Sequence, residues 1–70
     1  MKKKIKININ GKPKIVNENL KLIDLIKMLK IPIKKDAIEL NFEIIDKKKI
    51  NKMHLKNNDK IEIVHFIGGG

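Results

Sequence analysis

Lys4-Ile5-Lys6-Ile7-Asn8-Ile9-Asn10-Gly11 is an alternating run that ends in the dipeptide best suited to a tight hairpin. In an extended chain Ile5, Ile7 and Ile9 share one side, while Lys4, Lys6 and Asn8 share the other, so the run reads as a half-buried strand. Asn10 and Gly11 both accept a positive φ, which a two-residue hairpin turn demands. The return strand runs through Lys14-Ile15-Val16. Pro13 has no N–H to give a ladder, which leaves the loop open between two and four residues.

Beyond the hairpin, Leu22, Leu25, Ile26 and Leu29 recur at helical spacing and form one apolar stripe, with Lys21, Asp24, Lys27 and Lys30 on other faces. The phase puts the N-cap at Lys21, a residue that cannot accept a backbone hydrogen bond, and Asp24 complements the helix dipole. Pro32 is the expected stop. Ala37–Asn41 alternates as a short strand, Asn41-Phe42-Glu43 turns, and Ile44-Ile45 pairs back. A Lys-rich connection from Asp46 to Lys56 carries Ile50, Met53 and Leu55 as anchors, and Asn57-Asn58-Asp59 is a turn cluster. Lys60–Ile67 is the last strand, followed by Gly68-Gly69-Gly70. A helix with one apolar stripe needs a sheet to cover it. The expected fold is therefore α+β, a mixed sheet of four or five strands around one helix, with the first and last strands central.

The side chains that are missing narrow the chemistry. Ile (15), Lys (17) and Asn (8) fill more than half of the 70 positions, and the sequence contains no Cys, Ser, Thr, Tyr, Trp, Arg or Gln. The common hydroxyl and thiol nucleophiles are absent, and so are a disulfide framework and a thiolate metal site. His54 and His65 have no metal-ligand spacing. A domain this small buries only about 60–65% of its chain surface and offers little room for a catalytic pocket, even for neighbouring carboxylates such as Asp36 and Glu39. The expectation is a protein that is not an enzyme and holds no metal. Apolar runs of two or three residues cannot span a bilayer, and the basic start lacks a signal peptide's apolar stretch, so the expected address is the cytoplasm.

The net charge of +9 raises nucleic-acid binding as one reading. Against it, the basic residues are all Lys, with none of the forked guanidinium contacts that read guanine, and Phe42 and Phe66 are too few for base stacking. Codon bias toward A and T would also give Lys, Asn and Ile. A solvated surface suited to acidic partners accounts for the same charge.

The three terminal glycines read either as a frayed end or scar, or as a tail built to thread a narrow channel, since glycine has no Cβ to clash. Their carboxylate is ionised at neutral pH and inert as an acyl group. Another protein would have to convert it to a mixed anhydride with AMP before a nucleophile could displace it. On that reading the tail is substrate and the folded body is its handle.

The strand–strand–helix–strand–strand–strand order with a terminal Gly69-Gly70 resembles the ubiquitin-like β-grasp proteins, and among them the ThiS-like sulfur carriers of thiamine biosynthesis. The resemblance runs through Ile9-Asn10-Gly11-Lys12, the helix at Leu22–Leu29 and the middle hairpin at Ile38–Ile45. It is most specific at Asn58-Asp59-Lys60-Ile61-Glu62-Ile63-Val64-His65-Phe66-Ile67-Gly68-Gly69-Gly70. It implies a single domain over residues 1–67 and a flexible tail over 68–70. It also implies an adenylate and then a thiocarboxylate at Gly70, with Gly68 and Gly69 threading a partner's active site. The implied partners are a ThiF-like adenylating enzyme using MgATP, a sulfur relay from a cysteine desulfurase, and a ThiG-like thiazole synthase, with no cofactor bound by this chain. The small subunit of molybdopterin synthase is a sibling pattern with the same Gly-Gly end.

Three positions depart from the pattern: Phe42 where the family usually has Gly, Lys21 in place of a hydroxyl helix cap, and Asn58 for a turn Gly. Val64 and Phe66 fall opposite Ile61 and Ile63 on the last strand. They are expected either to form an exposed partner-binding face or to pack beneath the Lys-rich connection. Asp59, Glu62 and the nearby lysines read as solvated surface.

Overall fold

The structure, a computed structural model, describes residues 3–65. Its elements are β1 (Lys4–Ile9), β2 (Lys12–Asn17), helix α1 (Leu22–Met28), β3 (Asp36–Leu40), β4 (Glu43–Ile44), a 3₁₀ turn at Ile50–Lys52, and β5 (Lys60–His65). They follow the expected sequence, with β3 starting one residue early and β4 at Glu43–Ile44 rather than Ile44–Ile45. The sheet order is β2-β1-β5-β3-β4, with β1 and β5 parallel and the other pairs antiparallel. The first and last strands are interior, as their alternation predicts.

The first hairpin closes with two residues. Ile9 faces Lys12, and Asn10 and Gly11 take φ of 50° and 83°, the double positive φ of a type I′ turn. Pro13 lies opposite Asn8 on the outer strand β2. In the antiparallel alternation that pair exchanges no hydrogen bonds, so the missing N–H falls on the open edge of the sheet. The middle hairpin repeats the device. Leu40 faces Glu43 across Asn41 (φ 51°) and Phe42 (φ 72°), so a phenylalanine occupies a left-handed position.

α1 buries Leu22, Leu25 and Ile26 against Ile5, Ile7, Val16, Ile38, Ile50, Leu55 and Ile61. Ile50 and Leu55 are the expected anchors of the Lys-rich connection, with Met53 half-buried beside them. Lys21 is indeed the N-cap and makes no side-chain capping bond. The connection compensates in part: the Leu22 N–H donates to the Met53 carbonyl at 2.9 Å. The helix end differs from expectation. Leu29 is the C-cap and is 37% exposed, so it drops out of the buried stripe. Lys30 (φ 55°) donates to the Lys27 carbonyl at 3.2 Å, and Ile31 to that of Ile26 at 3.1 Å. These two bonds define a Schellman stop. The helix is therefore closed before Pro32 is reached, by a lysine in the conformation glycine usually supplies.

Candidate functional site

β5 leads toward the glycine tail, and its flanking turns grip it from both sides. Asn10 lends its Oδ1 to the Ile63 N–H at 2.8 Å, and its own N–H donates to the Ile61 carbonyl at 2.9 Å. On the other edge the Asn41 Oδ1 accepts the Lys60 N–H at 2.9 Å, while the Asn41 N–H donates to the Lys60 carbonyl at 2.7 Å. The Asn41 amide also donates to Asp59 Oδ1 at 3.0 Å, and Asp59 Oδ2 accepts the Lys56 N–H at 2.7 Å. Asp59 is consequently buried at the root of β5 instead of belonging to the solvated surface. Its work is to close the turn.

The two faces of β5 separate as the alternation requires. Ile61 is buried and Ile63 half-buried under the helix side, whereas Lys60, Glu62 and Val64 are exposed on the outer face. Val64, 39% exposed opposite Ala37, lies on this outer face and not beneath the Lys-rich connection. Phe66, Gly68, Gly69 and Gly70, with the predicted strand end at Ile67, lie outside the described residues.

The outer face carries features that alternation alone left unassembled. Register places Ile44 opposite Glu39, and Glu39 opposite Glu62, giving one row across β4, β3 and β5. Ile44 and Phe42 are 73% and 74% exposed. The Lys60 ammonium sits 5.4 Å from the centroid of the Phe42 ring. The inward-facing Asp36 does not join Glu39. It is buried, and its Oδ1 meets His65 Nδ1 at 2.8 Å across the last β3–β5 pair. Asp36 also lines a small, mostly apolar cleft of about 150 Å³ with Ile33, Ile38, Ile44, Ile45 and Lys47. Among the described residues no group of three or more His, Asp or Glu side chains is placed to hold a metal ion, and no helix is long and apolar enough to cross a membrane.

One helix held by a five-stranded mixed sheet, with the first and last strands parallel at its centre, is the ubiquitin-like β-grasp. A solved ThiS structure from Geobacter metallireducens superimposes with a TM-score of 0.83 at 30% identity, covering 94% of this chain and 100% of that one. The model of the ThiS family matches residues 4–70. The sulfur carrier protein ThiS of Bacillus subtilis is 37% identical over 65 residues, 91% of this chain and 98% of that protein. The chain belongs to the ThiS family. A thiazole synthase from Paramagnetospirillum magneticum is 35% identical over 66 residues, which are 94% of this chain but 20% of the synthase. That enzyme thus has a segment similar to most of this chain.

Proposed function

We propose that this chain is the sulfur carrier of a thiamine pathway and that its reactive group is the Gly70 carboxylate. The observation that carries the reading is the match to the ThiS family over residues 4–70, on a fold whose central strand β5 ends at His65, shortly before the glycines in sequence. In the proposed cycle a carboxylate oxygen attacks the α-phosphorus of MgATP on an adenylating enzyme of the ThiF type. Pyrophosphate leaves and an acyl-adenylate remains. The terminal sulfur of a persulfide, supplied from a cysteine desulfurase, attacks the acyl carbon and displaces AMP. A second thiol then takes the donor sulfur as a disulfide and frees the thiocarboxylate. Thiazole synthase accepts that sulfur.

Each step asks of this chain only what its residues offer. The glycines present no Cβ to a narrow channel. The body supplies a handle and the chemistry belongs to the partners, in keeping with a chain that lacks Ser, Thr, Tyr and Cys. Partnership with thiazole synthase is supported by the segment similar to this chain within a synthase polypeptide. The cytoplasm, where ATP and the desulfurase relay are at hand, is the proposed compartment.

Incubation with the adenylating enzyme, MgATP and a sulfur donor should exchange one terminal oxygen for sulfur, read by intact-mass spectrometry. Deleting Gly70 should abolish the exchange and leave the circular-dichroism spectrum unchanged. An unmodified mass with partners that act on another carrier would refute the proposal.

A further inference from the structure

Glu39 and Glu62 stand directly opposite each other on the outer face, an arrangement that opposes folding. Neither has a lysine within ion-pair distance among the described residues, in a chain with 17 lysines. The nearest candidate by position, Lys60, lies two residues before Glu62 on the same face, and its ammonium is held over Phe42 instead. Around this acidic pair lie Ile44, Phe42 and Val64, the first two among the most exposed large apolar side chains in the molecule. Two negative charges without an ion-pair partner among the described residues, bordered by exposed apolar side chains and, over Phe42, by Lys60, form a seat complementary to a cation that those apolar contacts would flank.

We propose that the Glu39–Glu62 pair, framed by Phe42, Ile44 and Val64, receives a basic side chain of thiazole synthase. The inference rests on the sulfur-carrier reading. That synthase is the occupant because a thiazole synthase relative carries a segment similar to this chain within its own polypeptide. The seat takes in Glu62 and Val64 of β5, so a partner docked over it meets that strand as well as β3 and β4.

The test measures binding of the full-length chain to thiazole synthase by titration calorimetry, with Glu39→Gln, Glu62→Gln and the double variant. Each single change should weaken binding roughly 5- to 10-fold and the double change more than either, with a reduced dependence on salt. Asp24→Asn, on the helix and remote from the row in the fold, should bind as the parent does. Removing the like-charge contact should leave the double variant's melting temperature equal to the parent's or higher, an outcome that a structural role for the pair would reverse. Binding of the double variant within about twofold of the parent would overturn the seat while leaving the carrier reading intact. Loss of adenylation with synthase binding retained would overturn it too, since the pair would then serve the other enzyme. A parent chain that accepts sulfur but does not bind the synthase would remove the partner and the seat together.

Discussion

Replacing Lys30 with glycine should stabilise the protein, although it removes a charge from a helix C-terminus. Lys30 is exposed, holds φ at 55°, and donates the first bond of the Schellman stop. A left-handed conformation costs a residue with a Cβ about 1–2 kcal/mol. Against that gain, glycine loses roughly 0.4–1 kcal/mol more backbone entropy on folding, and a cation near the dipole's negative end is worth about 0.3 kcal/mol when exposed. The balance is a gain of about 0.5 kcal/mol, or a rise of roughly 2–4 °C in melting temperature for a domain this small. Lys30→Ala is the informative control. It keeps the left-handed penalty and loses the same charge, so Lys30→Gly should exceed it by about 1 kcal/mol. Guanidinium titrations of the three proteins, with equal slopes, would measure both differences. A glycine variant no more stable than the alanine variant would show that the stop does not strain Lys30.

The other helix end and the root of β5 give two further tests. Lys21→Ser supplies the side-chain acceptor that the N-cap lacks and should add about 0.5–1 kcal/mol in the same titrations, and no change would mean that the Met53 carbonyl and the connection already meet the helix's needs. Asp59→Ala removes the acceptor of the Lys56 N–H and the Asn41 amide in a part-buried turn, and should cost about 1–2 kcal/mol, with faster amide exchange at Lys56 as its local signature.

The sheet was legible because its strands alternate cleanly: Ile5, Ile7 and Ile61 could face only a core. Register was less so. Pro13 obscured a two-residue turn that Asn10-Gly11 encodes plainly, because whether a proline harms a ladder depends on being at the sheet's edge, which is a tertiary fact. The helix end was misplaced at Pro32 because the true C′ residue is a lysine, and local sequence carries no mark of a left-handed lysine. Asp59 looked like surface since its burial comes from Asn41, 18 residues away. The Asp36–His65 contact and the Glu39–Glu62 row likewise exist only through β3–β5 pairing. Val64 was singled out by alternation, but Phe42, Ile44 and Glu39 were not joined to it, since chain separation hides what register brings together.

The asparagine grips on β5 bear on what would happen if a partner, as proposed, drew the tail into a channel. Tension then runs along β5 while β1 and β3 hold it from both sides through bonds that lie across the strand. Such bonds share the load in shear and must yield as a group, whereas a strand peeled from an edge would release them one at a time. On the proposed role, a pull on the tail would thus meet both ladders of β5 at once, with the asparagine bonds at Lys60, Ile61 and Ile63 anchoring the strand at the end away from the load.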